Sequence, residues 1–203
     1  MKIDPKDLSG RQRHLFMGNL VVPRPIALVS TISPEGIYNV APYSLFNIVC
    51  YHPVPIVYYT PMRKADGLKK DSLVNVELTK EFVINLVTEE IAEKMNITSS
   101  YYPPEVDEFK ESQLTPVPAD IVKAPLVRES PFNLECRLYQ IVPFGSPDIA
   151  GDMIMGEVVR VHVGDEFWND GIIDANKAHL IGRMGWGLYS RTRDLFELKR
   201  PSD

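Results

Sequence analysis

Residues 24–47 read RPIALVSTISPEGIYNVAPYSLFN, and this stretch decides the predicted fold. A β-branched and apolar run fills 26–33, a proline and a glycine follow within 34–36, and a second run returns at 37–41. Side chains that alternate between two faces are typical of a strand, and proline with glycine between two such runs is typical of a tight turn. The sequence therefore predicts an antiparallel hairpin.

Further runs along the chain predict more strands of the same kind, because β-branched and aromatic residues dominate them. These runs lie at 56–60, 82–87, 132–142 and 153–163. The 17 prolines fall between the runs, which indicates short strands joined by rigid turns. The spacing is too irregular for a parallel sheet with alternating helices. We therefore expect a mainly β fold, a barrel with short peripheral helices.

Two helices are predicted between the strands. Asp71 is a suitable N-cap for a helix over 72–78. Thr88 is predicted to cap a second helix, since Glu89 and Glu90 would lie in its first turn, where the helix dipole favours negative charge. The proline-rich stretch 99–124 reads as a long irregular excursion, which is either a functional covering or mobile.

The length of 203 residues fits a single domain over 1–203, with its core at about 14–165 and a C-terminal extension at 166–203. The formal net charge of -5 argues against nonspecific binding to nucleic acid or an anionic membrane. The chain begins without a signal-like apolar segment and has no membrane-length apolar run. We expect a cytoplasmic protein whose Cys50 and Cys136 are reduced thiols.

Motifs of metal and hydrolytic catalysis are absent from the sequence. The four histidines have no ligand spacing, so no metal site is expected, and neither GxSxG nor a Walker A loop occurs. The GRMGWG segment at 182–187 reverses the order of the dinucleotide fingerprint and follows no predicted strand. We interpret this segment as a flexible C-terminal turn.

Two polar patches are candidate binding sites. Ser30, Thr31, Ser44 and Asn47 cluster near the ends of the first two strands, where they could bind a flat polar heterocycle or simply cap the strands. The second patch, Lys69 to Ser72, precedes a predicted helix. Helix N–H groups and an ammonium together suit a phosphate, although lysines before helices are often only solvated.

The segments NVAPYS at 39–44, KDSL at 70–73 and GLYSRTRDLFE at 187–197 resemble the flavin reductase-like, FMN-binding split-barrel family. Within it, the chain is most similar to the branch that contains flavoredoxins and the nitrilotriacetate monooxygenase component B type. This resemblance implies a Greek-key split barrel that forms a homodimer, with FMN at the subunit interface.

The resemblance also implies roles for individual residues. The implied FMN-binding residues are Ser30, Thr31, Ala41, Pro42, Tyr43, Ser44, Asn47, Lys70, Asp71 and Ser72. The first two would line the flavin or its ribityl chain, those from Ala41 to Asn47 the ring, and those from Lys70 to Ser72 the phosphate. His179 and Tyr189 would approach the nicotinamide or pack across the dimer. The segment CYHPVP at 50–55 departs from the usual double proline of the family.

The activity that the resemblance implies is reduction of FMN by NADH or NADPH. No side chain need act as acid or base, because the flavin carries the redox chemistry. Reduced FMN would then serve a partner flavin-dependent monooxygenase or another electron acceptor. Two alternatives remain: a flavoredoxin-like electron carrier with tightly bound FMN, and a flavin-binding protein without catalytic activity.

Overall fold

The computed structural model describes residues 1–145 and 151–201, which contain short helices around an extensive set of strands. The helices in chain order are α1 (Gly10–Leu20), α2 (Asp71–Thr79), α3 (Ala92–Ile97), α4 (Glu108–Ser112) and α5 (Ala175–Ala178). The strands are β1 (Ala27–Ile32), β2 (Tyr38–Tyr43), β3 (Phe46–Cys50), β4 (Ile56–Tyr59), β5 (Glu81–Leu86), β6 (Pro116–Val117), β7 (Leu126–Val127), β8 (Phe132–Phe144), β9 (Gly151–Val163), β10 (Trp168–Asn169), β11 (Ile172–Ile173), β12 (Ile181–Arg183) and β13 (Tyr189–Arg191). Single 3₁₀ turns lie at Pro5–Asp7 and Asp165–Phe167.

Seven of these strands form one antiparallel sheet in the order β2-β1-β5-β8-β9-β4-β3. The hairpin predicted from residues 24–47 is present, with Val29 opposite Ala41. The prediction of a mainly β fold with short peripheral helices is confirmed. Because β2 and β3 end the strand order, each has one edge without a neighbouring strand of the sheet.

Both faces of β1 are buried, which explains the apolar character of the whole run. Ala27 and Val29 belong to a core cluster that also contains Leu73 and Val76 of α2. Leu28 lies on the opposite face, in a cluster with residues of the α3 and α4 region. The members of that second cluster are Ile26, Leu28, Val40, Val87, Ile91, Met95, Phe109, Leu114, Val127 and Ile181. The excursion at 99–124 is thus a covering layer that adds Phe109 and Leu114 to the core.

The structure contains α1 and β3, which periodicity did not predict. None of the residues of α1 is buried, so the helix has no continuous apolar stripe for periodicity to detect. A local signal was present: the Ser9 hydroxyl accepts from the Gln12 N–H at 3.3 Å, and the Gln12 side chain accepts from the Ser9 N–H at 2.8 Å. This capping box is visible in the sequence as Ser-x-x-Gln.

The prediction that Thr88 caps a helix is wrong. Helix α3 begins at Ala92, and its N-cap residue is Ile91. Thr88 instead forms a β-bridge with Leu180, and the Glu89 N–H donates to the His179 carbonyl at 3.0 Å. Contacts with the C-terminal part of the chain therefore override the local capping preference.

The GRMGWG segment connects the two strands of the β12–β13 hairpin and packs tightly against α1, which corrects the interpretation of a flexible turn. Arg183 exchanges backbone hydrogen bonds of 3.0 and 2.7 Å with Arg24. A Cβ at Gly185 would lie 1.7 Å from Oδ1 of Asn19 and 3.1 Å from its Cα. Glycine is required here because α1 and the C-terminal segment approach each other closely.

Two smaller expectations can be compared with the described residues. Cys50 and Cys136 are both free thiols, and Cys136 is fully buried. No helix in the described ranges is long and apolar enough to cross a membrane. The assignment of residues 1–203 to one domain, with a core and a C-terminal extension, stays a prediction.

Candidate functional site

A cavity of about 1130 Å³ opens between α1, the end of β2, the start of α2 and the C-terminal segment. The excursion contributes residues 98–102 and Glu108 to its wall. Seven of the residues predicted to bind FMN border this cavity: Ala41, Pro42, Tyr43, Ser44, Lys70, Asp71 and Ser72. The fold therefore brings together the two predicted patches that lie 26 residues or more apart in sequence, at 41–44 and 70–72.

The start of α2 is the part of the wall best suited to an anion. Lys70 occupies the N-cap position and makes no side-chain capping hydrogen bond, so the amides of the first turn keep no side-chain acceptor. The Ser72 hydroxyl lies 2.6 Å from the Tyr43 hydroxyl. Burial raises the pKa of Tyr43, so this phenol stays protonated and fixes Ser72 in place.

Asp71 is not the N-cap, so the predicted helix start is wrong by one residue. It is the first residue of α2, and its carboxylate receives the Lys64 ammonium at 2.8 Å. Lys64 is itself almost completely buried and lies 5.1 Å from the centre of the Tyr101 ring. Asp71 therefore holds a neighbouring cation in the wall, which is a supporting role.

The two adjacent lysines before α2 differ in their surroundings. Lys69 forms an ion pair with Glu77, with Nζ–O distances of 2.5 and 2.7 Å, and does not border the cavity. Lys70 borders the cavity, and no carboxylate in the described part of the chain pairs with it. The positive charge of Lys70 is consequently available to a ligand.

Only alternate residues of the edge strand β2 direct their backbone N–H away from β1. The Val40 N–H donates to Glu108 at 2.7 Å, so this N–H points away from β1. The N–H groups of the adjacent residues Asn39 and Ala41 then point toward β1, because the direction alternates along a strand. Pro42 also faces outward, where its missing N–H costs no ladder hydrogen bond. Within β2, the N–H groups of Ala41 and Tyr43 therefore face β1, and Ser44 begins the bend that follows the strand.

Ser30 and Thr31 do not border the cavity, and their predicted contact with the flavin or its ribityl chain stays a prediction. Both are fully buried. The Ser30 hydroxyl donates to the Pro125 carbonyl at 2.5 Å, and the Thr31 hydroxyl bonds to Asn75 at 3.0 Å and to Asn39 at 3.3 Å. The Ser30 hydroxyl thus connects β1 to the segment after the excursion, and the Thr31 hydroxyl connects β1 to α2 and β2.

Three further predicted residues lie outside the cavity of their own chain. Asn47 is exposed on β3, next to the exposed side chains of Ile48 and Val49. His179 is exposed, with a backbone φ of 44°. The Tyr189 ring lies 4.6 Å from the guanidinium of Arg183. Their predicted contacts with FMN or the nicotinamide stay predictions that need a second subunit or a rearrangement.

Glu108 is a cavity residue that the sequence did not identify. One of its oxygens accepts hydrogen bonds from the Asn39 side chain and from the Val40 N–H. Burial, reinforced by the nearby Asp71 carboxylate, raises the pKa of Glu108 to about 8. At neutral pH this side chain is mostly a neutral acid in the cavity wall. The length of the excursion was the only signal, since it predicted either a functional covering or a mobile segment and named no residue.

Arg24 connects three segments around the cavity. Its guanidinium donates to the carbonyls of Gly18 and Val21, both at 2.6 Å, and to that of Met184 at 3.3 Å. Nε also reaches the Ser44 hydroxyl at 3.5 Å. Arg24 and Arg183 come from distant parts of the sequence, so no local pattern could have predicted that they share a wall.

A separate cluster of Asp120, Glu135 and His162 has potential metal-binding groups. However, the Glu135 carboxylate already accepts from the N–H groups of residues 120–122 at 2.7 to 2.9 Å and contacts His162 Nε2 at 2.6 Å. These contacts use the lone pairs that a metal would need. The cluster is therefore explained as an attachment of the excursion to the sheet.

The curled antiparallel sheet is that of a split-barrel protein, and comparisons with known proteins agree. The profile described as flavin reductase like domain matches residues 17–177. Nitrilotriacetate monooxygenase component B from Bacillus cereus is 32% identical, with a TM-score of 0.93 and 98% of each chain covered. The 2-nitrobenzoate 2-nitroreductase of Pseudomonas fluorescens is 29% identical, with a TM-score of 0.90 and coverage of 100% and 97%.

A split-barrel domain protein from Shewanella frigidimarina, 24% identical over 97% of this chain and 96% of that one, shares the fold with a TM-score of 0.82. The chain belongs to the flavin reductase-like family. Its resemblance to the branch of the nitrilotriacetate monooxygenase component is confirmed, as is the split-barrel fold. Membership of this family indicates a flavin-related function and supports an oxidoreductase.

Substitution of Glu108 tests whether the pKa of this buried acid is raised in the folded protein. Because the folded protein holds this proton more tightly than the unfolded chain, the free energy of unfolding should fall by up to about 1.4 kcal/mol per pH unit between about pH 5 and pH 8. Glu108→Gln keeps the acceptor oxygen and removes the titration, so its stability should depend less on pH. Urea denaturation of both proteins measures the difference.

The exposed Glu111 of the same helix provides the control, since Glu111→Gln should keep the pH dependence of the original protein. Parallel stability curves for the original protein and Glu108→Gln would show that Glu108 titrates normally in the folded state.

Proposed function

We propose that the protein is a flavin reductase that binds FMN and reduces it with NADH or NADPH. The observation that carries this proposal is the uncapped start of α2, where the unpaired Lys70 and the Ser72 hydroxyl border a cavity of flavin-compatible size. The similarity to a monooxygenase component supports the further proposal that reduced FMN is delivered to a partner oxygenase.

The residues present fit FMN in two respects. A phosphate needs several N–H donors and a cation, which α2 and Lys70 provide at one place. A flat ring needs a wall of small residues, and Ala41 and Ser44 line the cavity at the end of β2.

FMN, when bound, supplies the redox chemistry itself. The chain's own residues bind and orient. Lys70, Ser72 and the first-turn amides of α2 would hold the phosphate, while Tyr43 fixes the Ser72 hydroxyl through their 2.6 Å contact. The N–H of Ser44, which borders the cavity, would donate to a polar ring edge, where a preorganised donor stabilises developing negative charge. Residues 98–102 and residues of α1 line the cavity, where they would shield a bound flavin from water.

Steady-state oxidation of NADH and NADPH by the purified protein tests the activity. With added FMN, absorbance at the reduced nicotinamide band should fall with saturation kinetics in both substrates. Activity without added FMN, from a protein that is purified yellow, would instead support a flavoredoxin-like carrier with bound FMN. Absence of oxidation with either nucleotide, in a protein that still binds FMN, would contradict the reductase proposal.

Lys70→Ala tests the phosphate contact. Loss of a charge-assisted hydrogen bond of about 1.5–3 kcal/mol should weaken FMN binding by about one to two powers of ten. Riboflavin, which lacks the phosphate, should bind equally to both proteins. Flavin fluorescence titration measures both affinities.

The neighbouring Lys69→Ala is the matched control, because Lys69 is paired with Glu77 outside the cavity. It should leave FMN affinity unchanged. Equal loss of FMN and riboflavin binding in Lys70→Ala would place Lys70 at the ring or at a subunit contact and overturn the phosphate assignment.

We also propose that the protein is a homodimer that uses β3 as part of its interface. Strand β3 is an edge of the sheet, and its region exposes the apolar side chains of Leu45, Ile48, Val49 and Tyr51 by 47–70%. Uncovered apolar edge strands favour association. Asn47 lies among these residues, so a dimer through β3 would bring Asn47 toward the second subunit.

Val49→Glu should therefore shift the protein from dimer to monomer, because it places a charge in a desolvated contact. Light scattering coupled to size exclusion measures the molar mass. Leu78→Glu on α2 is the control, since Leu78 is equally exposed but lies away from β3. A monomeric original protein, or a Val49→Glu protein that is still dimeric, would exclude β3 as the interface.

A further inference from the structure

The cavity wall has more positive charge than an FMN phosphate needs. Six cationic side chains border it: Arg13, Arg24, Arg63, Lys64, Lys70 and Arg183. Two of them are neutralised, since Arg63 pairs with Asp152 at 3.0 Å and Lys64 pairs with Asp71 at 2.8 Å. Within the described ranges, the other four have no carboxylate partner.

The remaining acid of the wall does not balance these four charges. Glu108 is mostly neutral near pH 7 because burial raises its pKa to about 8. A phosphate monoester carries about two negative charges at neutral pH. Lys70 and the amides of α2 would receive that phosphate, whose two charges balance Lys70 and one arginine, so two of Arg13, Arg24 and Arg183 stay without a counter-charge. This excess indicates a second anionic group.

The three arginines lie on α1 and on the two segments that Arg24 connects to it, and this part of the wall is called the arginine end. Arg24 and Arg183 are joined by their backbones, and Arg13 comes from α1, whose C-terminal carbonyls bind Arg24. The arginine end contacts β2 through Ser44, whereas the α2 start contacts it through Tyr43. The arginine end and the start of α2 therefore belong to different elements of the cavity wall.

The three guanidinium groups are not equally available to a ligand. Arg24 is half-buried, and its donors are used by the carbonyls of Gly18, Val21 and Met184. Arg183 donates to the Trp186 carbonyl and stacks on Tyr189, while Arg13 makes a single long hydrogen bond of 3.4 Å to Pro5. Arg13 and Arg183 therefore retain donors in the fork geometry that matches phosphate oxygens.

We propose that Arg13 and Arg183 bind the diphosphate of the nicotinamide dinucleotide that serves as electron donor, and that Arg24 is a positioning residue for this end. The proposal rests on the proposed reductase function, because it assigns the second substrate of that same cavity. A diphosphate fits better than a single carboxylate, since two arginines with free donors border one opening.

Equilibrium binding of ADP-ribose to the FMN-loaded protein tests the proposal without turnover. ADP-ribose contains the diphosphate but no nicotinamide, and binding can be followed by calorimetry. Arg13→Gln and Arg183→Gln should each weaken ADP-ribose binding by about three- to tenfold, as expected for a partly exposed charge contact. FMN affinity should stay unchanged in both variants, as should the weak binding of adenosine, which lacks phosphate.

Arg11→Gln is the matched control. Arg11 lies on the same helix as Arg13 and is exposed, but it does not border the cavity. An equal effect of Arg11→Gln and Arg13→Gln would indicate only long-range charge and overturn the proposal. Equal loss of FMN affinity in Arg13→Gln would assign this arginine to the flavin phosphate, with the same consequence. If Arg183→Gln does not fold, Arg13→Gln on the exposed helix decides alone.

Two further outcomes separate this proposal from the proposed function. Benzoate that binds in an arginine-dependent manner, with no binding of ADP-ribose, would replace the diphosphate by a carboxylate ligand and overturn the assignment. Arginine-dependent binding of ADP-ribose without any oxidation of NADH or NADPH would support the arginine end and contradict the reductase function.

Discussion

The guanidinium of Arg24 is the contact on which the shape of the cavity depends. It binds carbonyls at the end of α1, the Met184 carbonyl in the C-terminal segment and the Ser44 hydroxyl after β2. Burial and the neighbouring Arg183 lower its pKa, yet an arginine remains charged at any ordinary pH, so the donors are permanent. Helix α1 has no buried residue of its own. Its position over the cavity therefore depends on polar contacts more than on packing.

The opposite wall is fixed by buried carboxyl groups. Glu108 holds Asn39 and the Val40 N–H at the edge of β2, and Thr31 continues the network from Asn39 to Asn75 of α2. Glu135 of β8 binds three consecutive N–H groups of the same excursion. Buried polar groups that are fully hydrogen-bonded favour one arrangement over its alternatives, since a partly broken network is costly. The excursion is thus a built wall of the site.

The sequence predicted the parts of this fold that local physics determines. The strands were found because their residues alternate or are uniformly apolar, and the start of α2 was placed within one residue of Lys70 because helix ends have local signatures. Helix α1 was missed because its stability does not come from an apolar stripe. The sequence also did not show that Ser30 and Thr31 are buried in hydrogen-bond networks. Small hydroxyl residues at a strand end suit a ligand and a buried network equally well, and only the layer that covers β1 decides between them.

The cations of the cavity wall are either paired with a carboxylate or unpaired, and no sequence pattern shows which of them are paired. Cations of the wall that are paired, such as Lys64 with Asp71, hold the structure together, whereas the unpaired Lys70 and the arginine end are available for anions. Glu108 lies within electrostatic reach of Lys64, Lys70 and Asp71. While it is protonated, the wall keeps its positive charge. Its ionisation above about pH 8 would place a second carboxylate beside Asp71, so anion binding and loss of this proton must oppose each other. A neutral Glu108 therefore favours the binding of an anion in this cavity at neutral pH.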